Sequence, residues 1–155
     1  MAAPSDYSVK TLAQTIGHDF GLSDPVVISQ EMINGFADVT GDHQWIHVDV
    51  ERAAAQSPFG GTVAHGFLTL SMLAGAAEEA GVMPPDAVAM LNYGLEKVRF
   101  LAPVLTGSSV RTQFKLVAVE PKGPGNQLIR LQGSMQIDGA DKPAVIAELL
   151  AVVSG

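Results

Sequence analysis

The sequence contains no cysteine. That excludes a disulfide framework, a thiolate nucleophile and any thiolate-ligated metal. Charge is sparse at 16% of residues, and aromatic side chains make up 6%. Basic charge is sparser still: 9 Lys and Arg stand against 16 Asp and Glu, a net charge of −7. Up to Leu95 only Lys10 and Arg52 are basic; Lys97, Arg99, Arg111, Lys115, Lys122, Arg130 and Lys142 all follow. Nucleic-acid binding needs a concentrated basic face, so no nucleic-acid partner is expected. A small anionic group needs only a few local cations and remains a possible ligand. Long hydrophobic runs are also missing. The longest, Phe67 to Ala77, has about 11 residues where a membrane span needs about 20. It reads as a buried helix, and no membrane partner is expected. The first apolar cluster is interrupted by Lys10, Gln14, His18 and Asp19 with no basic segment before it, so a signal peptide is not expected and the location is read as cytoplasmic.

What is present is apolar. With 155 residues, 47% of them hydrophobic, the chain reads as one domain over 1–155, with residues 1–8 a loose N-terminus. Val9 to Gly17 reads as a short helix and Val26 to Ile28 as extended. Ser29 is a helix N-cap, with Glu31 complementing the helix dipole. Met32, Ile33, Phe36 and Val39 then share one helical face, and Gly41 stops the helix. Val50 to Gln56 reads as a short helix. A longer one runs from Val63 or His65 to Ala80, ending at Gly81. It is apolar nearly all round, which predicts a central helix covered on several sides. Beyond it the period becomes two: Val98, Phe100 and Ala102; Val110, Thr112, Phe114, Leu116 and Ala118; Ile129, Leu131, Gly133, Met135 and Ile137. These are strands with one buried face. Val145 to Val153, apolar on both sides apart from Glu148, reads as a central or interface strand. Turns fall at Thr106-Gly107, Lys122 to Asn126 and Asp138-Gly139. The fold class is α+β, an antiparallel sheet wrapped around a central apolar helix. One such unit leaves edges and apolar surface open, so a homodimer is expected.

The chemistry concentrates in Thr40-Gly-Asp-His-Gln-Trp-Ile-His-Val-Asp49, read as a loop. In a bent loop Asp42 and His47 can face one spot, and a carboxylate and an imidazole sharing one water make a general acid–base pair. Taken singly, Asp42 also fits a turn residue after Gly41, and His47 a structural histidine. His43-x-x-x-His47 resembles zinc spacing, but Gln44 stands where a zinc protease needs its glutamate base, so no metal site is expected. The second cluster, Gly60-Gly-Thr-Val-Ala-His-Gly-Phe67, enters the apolar helix. An amide at a helix N-terminus lacks an internal acceptor, and at Gly66 it could form an oxyanion hole. Gly66 could equally serve close packing, and His65 reads as a helix-start residue without a chemical role.

Phe36-Ala-Asp-Val-Thr-Gly-Asp42-His-Gln-Trp-Ile-His47-Val-Asp49 followed by Ala64-His65-Gly66 resembles the MaoC-like dehydratases, the (R)-specific enoyl-CoA hydratases of the hotdog fold. Within them it is most similar to the branch related to nodulation protein N. Asn92 to Val104 resembles that family's strand entering the core sheet. The family signature is Gly-Asp-x-Asn-Pro-(apolar)-His; this chain has Gln44-Trp45 in place of Asn-Pro, with the Asp and His at the family spacing. The resemblance implies a single hotdog domain and reversible hydration of a trans-2-enoyl-CoA to an (R)-3-hydroxyacyl-CoA without a cofactor. It implies Asp42 and His47 as the catalytic pair, the Gly66 amide as oxyanion donor, and Gln44 orienting water or Asp42. The acyl-CoA phosphates would meet cations of the second half, with Lys97 and Arg99 the weak candidates. Rival readings are a hotdog acyl-CoA thioesterase and a non-catalytic acyl-CoA-binding subunit; the Gly-Asp-(x)4-His spacing argues for the hydratase.

Overall fold

The structure is a computed structural model that describes residues 1–155. Its backbone is a six-stranded antiparallel sheet. The strands are β1 (Asp19–Leu22), β2 (Val26–Val27), β3 (Ala89–Phe100), β4 (Ser109–Pro121), β5 (Asn126–Ile137) and β6 (Pro143–Ser154). Their order is β1-β4-β5-β6-β3, and β2 adds to β4 beside β1. The expected alternation is there: Val110, Thr112, Phe114 and Leu116 of β4, and Ile129, Leu131, Gly133 and Met135 of β5, are buried. β6 lies between β5 and β3 and is buried through most of its length, as its two-sided apolar pattern requires. At Gly133 neighbouring side chains pack into the space a side chain would fill. A Cβ on Gly133 would lie 2.7 Å from the Leu149 side chain and 3.2 Å from the Phe114 ring.

Four helices cover the sheet and its margin: α1 (Gln30–Thr40), α2 (Trp45–Val48), α3 (Val50–Gln56) and α4 (Gly66–Glu79). The first has the expected ends. The Ser29 hydroxyl accepts from the Met32 amide, and Gly41 caps it at φ +79°, left-handed backbone that glycine adopts without strain. Its buried face is Ile33 and Ala37 with Met32 and Phe36 partly covered, whereas Val39, assigned to that face from sequence, is 87% exposed. Val50–Gln56 is helical as read, with the Asp49 carboxylate accepting from the Arg52 amide. No transmembrane-length apolar helix exists.

Four further expectations need correction. The segment carrying His47 is not wholly loop, because Trp45–Val48 forms one helical turn. The start of the chain is tied down: Tyr7 is buried, its hydroxyl donates to the Val82 carbonyl at 2.6 Å, and the Ala2 amide donates to Phe20. Within Val9–Gly17 only Leu12–Thr15 coils, as a 3-10 turn. Lastly, α4 is central to the sheet but not enclosed. Leu68, Thr69, Leu73 and Ala77 are buried, while Phe67 is 70% exposed. The apolar pattern predicted cover on several sides, and one chain supplies it on one side only.

Candidate active site

Asp42 and His47 are brought together by the α1–α2 corner. Gly41 turns the chain out of α1. The Asp42 carboxylate then accepts from the Gln44 amide at 3.3 Å, and α2 carries His47 inward. Gln44 occupies the N-cap of α2 without a side-chain capping bond, and Trp45 takes its first position. That position tolerates proline because its amide has no helical acceptor, and it tolerates tryptophan equally. The exchange of Asn-Pro for Gln-Trp therefore leaves the turn in place. The Trp45 ring is covered by the Arg52 guanidinium, 4.3 Å from its centroid.

His47 is buried at 7% exposure. Its Nδ1 lies 2.6 Å from the Val63 carbonyl oxygen, which can only accept, so Nδ1–H donates and Nε2 is the ring nitrogen turned to the site. The backbone behind it is held too. The Gln30 side chain donates to the His47 carbonyl at 2.7 Å and accepts from the hydroxyls of Thr62 and Thr106. Asp42 sits differently: its side chain is 54% exposed.

The third member is His65, the N-cap of α4, at 2% exposure. Its ring stacks on His47 with centroids 3.8 Å apart and planes 25° from parallel. Its Nε2 donates to the Asp42 backbone carbonyl at 2.9 Å and lies 4.0 Å from the Asp42 carboxylate. One nitrogen or carboxylate oxygen from each of Asp42, His47 and His65 lies within 4.8 Å of the others. Such a trio has the residue types of a metal site, but two stacked rings aim their in-plane lone pairs side by side, whereas a cation needs them convergent. The pair weighed from sequence, His43 and His47, is not assembled. His43 turns outward to the Asp38 carboxylate at 2.9 Å, and that hydrogen bond raises its pKa above the ordinary histidine value.

Gly66 follows His65 directly and opens α4. No protein acceptor meets its amide N–H. The packing alternative is realised at the same residue: a Cβ there would lie 3.1 Å from the Phe100 ring. Gly66 thus admits an aromatic ring on one side and presents a free amide. A depression of about 220 Å³ opens here, lined by Gly66, Thr69, Phe100 and Pro103 among others. A second, apolar groove of about 450 Å³ starts at Phe67 and runs between α4 and β3. Of the two cations weighed for the acyl-CoA phosphates, only Lys97 has a carboxylate partner. Lys97 pairs with Glu148, and Arg99 donates to the Val98 carbonyl.

Gln30 and His65 were not identified as site residues from sequence. Gln30 lies two residues ahead of the first apolar helix position and carries no local signal. His65 stands in the recognisable Ala-His-Gly run, but only the fold shows that its ring meets His47.

Comparison with known proteins gives the context. A family model described as "MaoC like domain" matches residues 11–134. The 3-hydroxyacyl-thioester dehydratase Z of Mycobacterium tuberculosis (strain ATCC 25618 / H37Rv) is 50% identical over 141 residues, covering 91% of this chain and 92% of that protein. Nodulation protein N of Rhizobium leguminosarum bv. viciae is 41% identical over 150 residues, covering 96% and 92%. Among solved structures, the (R)-hydratase from A. caviae involved in PHA biosynthesis superposes with a TM-score of 0.72 at 20% identity, covering 88% of this chain and 94% of that one, which speaks to the fold. A family match across most of the chain, and relatives aligned nearly end to end, place this protein in the MaoC-like dehydratase family.

Proposed function

We propose that the protein is an (R)-specific enoyl-CoA hydratase, a hydro-lyase that adds water reversibly across a trans-2-enoyl-CoA and works as a homodimer. The observation that carries this reading is the meeting of the Asp42 carboxylate and the His47 imidazole, within 4.8 Å, beside the free amide that opens α4. One water accepting and donating at ordinary hydrogen-bond lengths spans about 4.5 Å between its two partners. The upper limit of 4.8 Å keeps both groups within reach of one shared water.

The steps follow from what each group offers. Water is a weak nucleophile, so the Asp42–His47 pair takes one of its protons as oxygen bonds to C3. The C2–C3 π electrons move onto the thioester carbonyl, which becomes an enolate oxygen. The Gly66 amide, at the positive end of the α4 dipole, stabilises that charge. The proton held by the pair then passes to C2 on the same face, and the enolate collapses to the (R)-3-hydroxyacyl thioester. Gln44 is exposed and beside Asp42, where it can orient the water. A positioned acid or base contributes about 10²- to 10⁴-fold in rate, and an oxyanion donor about 10²- to 10³-fold. The thioester class of substrate is supported by the name of the M. tuberculosis relative. The homodimer is supported by the open face of α4 and by β3, a sheet-edge strand with Leu91, Tyr93 and Leu95 exposed.

The test is loss of enoyl ultraviolet absorbance from crotonyl-CoA. Asp42→Asn should remove at least 10²-fold of kcat with the circular dichroism spectrum unchanged. Wild-type turnover in that variant would defeat the assignment, and release of free thiol from acyl-CoA by the wild type would favour a thioesterase instead.

A further inference from the structure

His65 is more deeply buried than His47, yet the hydration chemistry gives it nothing to do. It is clamped from two sides, by the His47 ring at 3.8 Å and by the Phe36 ring at 5.1 Å. Its Nε2 donates to the Asp42 carbonyl, which fixes a proton on Nε2. Its Nδ1 is buried and has no partner. For packing alone a phenylalanine would fill the slot and leave no polar atom unmet. What histidine adds is the Nε2–H on Asp42.

That bond differs in kind from the others holding Asp42. The Asp42 amide donates to Thr40 at 3.3 Å, and its carboxylate accepts from Gln44 at 3.3 Å; both partners are within two residues. The His65 bond is shorter, at 2.9 Å, and spans 23 residues to tie the exposed corner to α4. The same ring braces the face of His47. We propose that His65 is a positioning residue that locks the Asp42 corner and the His47 ring in one mutual geometry, and so sets the spacing at which they share a water. The inference rests on the hydratase reading above. An error of about 1 Å in such a geometry costs about 10²-fold in rate.

Two substitutions separate ring from donor. His65→Phe keeps an aromatic ring against His47 and loses the bond to Asp42. His65→Gln places an amide N–H close to where Nε2 stood and loses the ring. With crotonyl-CoA, His65→Phe should lose about 10²-fold in kcat with KM within about two-fold and an unchanged circular dichroism spectrum. His65→Gln should recover at least about 10-fold of that loss. Should the phenylalanine variant fail to fold, the glutamine variant carries the test alone: it must fold and turn over within about 10-fold of wild type. The inference is overturned if His65→Phe turns over within about three-fold of wild type, if its loss lies in KM or only tracks the unfolded fraction, or if a folded His65→Gln is no better than His65→Phe. Asp42→Asn measured alongside keeps the two readings apart. Full turnover there sinks the hydratase assignment, whereas a dead Asp42→Asn beside a fully active His65→Phe sinks only the role of His65.

Discussion

At Gly66 two demands meet in one residue. In the proposed hydratase the amide must stay free, and the α-carbon must admit the Phe100 ring, which a Cβ would meet at 3.1 Å. Phe100 is half exposed, so its ring can give way. Gly66→Ala should therefore fold, with a stability loss of about 1 kcal/mol, while the displaced amide lowers kcat by about 10-fold or more. Thermal melts and crotonyl-CoA kinetics on the same sample separate the two effects. Tyr7 makes a different prediction. Burial pushes its phenol up to about 12, and its hydroxyl donates to the Val82 carbonyl. A group whose pKa is raised in the fold stabilises fully below its unfolded value, about 10, and that contribution is lost as pH rises through its folded value. Stability should therefore fall between about pH 10 and 12 and Tyr7→Phe should flatten that fall. At neutral pH the substitution should cost about 1 kcal/mol for the lost bond, seen as a lower Tm. Asp42 and His47 were legible as candidates because polar residues of complementary chemistry crowd one corner of an apolar chain. His65 and Gln30 were not, because their partners lie 23 and 17 residues away and no local pattern encodes them.

Elements were legible where their ends carry chemistry. Ser29 and Gly41 bracket α1, and Asp49 opens α3. The single turn of α2 has no room for a period and did not show. Val39 was placed on the wrong face because it sits three residues past Phe36, where only the packing of Ile33 and Ala37 reveals which stripe is inside. The junction of α1 with α2 depends on Gln30, whose amide satisfies the His47 carbonyl and the hydroxyls of Thr62 and Thr106. Gln30→Leu strands the His47 carbonyl and removes the shared acceptor of Thr62 and Thr106, whose hydroxyls remain 2.8 Å from each other. It should cost about 2 kcal/mol and lower kcat as the His47 backbone loosens; an unchanged Tm would count against the network. Across β3, β6 and β5, Glu148 accepts from both Lys97 and Arg130, and Arg130 also reaches Glu96. The Lys97 bond, with Arg130 behind it, holds the Glu148 carboxyl below the usual carboxylate range. A lowered carboxyl pKa stabilises above the unfolded value, about 4.3, and that stabilisation is lost as pH falls through the folded value. Glu148→Gln should thus flatten the decline of Tm at acid pH.

For the whole molecule the decisive fact is the strand that ends the sheet. β3 is 12 residues long and pairs only with β6, so one row of its backbone groups faces outward. Natural edges are usually blunted by charge or proline. Here the charges Glu96, Lys97 and Arg99 fall in the second half, and Ala89 to Leu95 has none, while Leu91, Tyr93 and Leu95 are exposed. The open side of α4, with Phe67, lies against the same stretch across the apolar groove. An unguarded edge and an uncovered helix side at one place call for one cover, and a second copy pairing β3 antiparallel with β3 would supply both. Sedimentation should therefore give twice the chain mass. Leu91→Lys with Leu95→Lys, two like charges facing their own copies across a two-fold axis, should give a folded monomer with turnover reduced by about 10-fold or more. A monomeric wild type with full activity, or a lysine variant that still sediments as a dimer, would place the cover elsewhere.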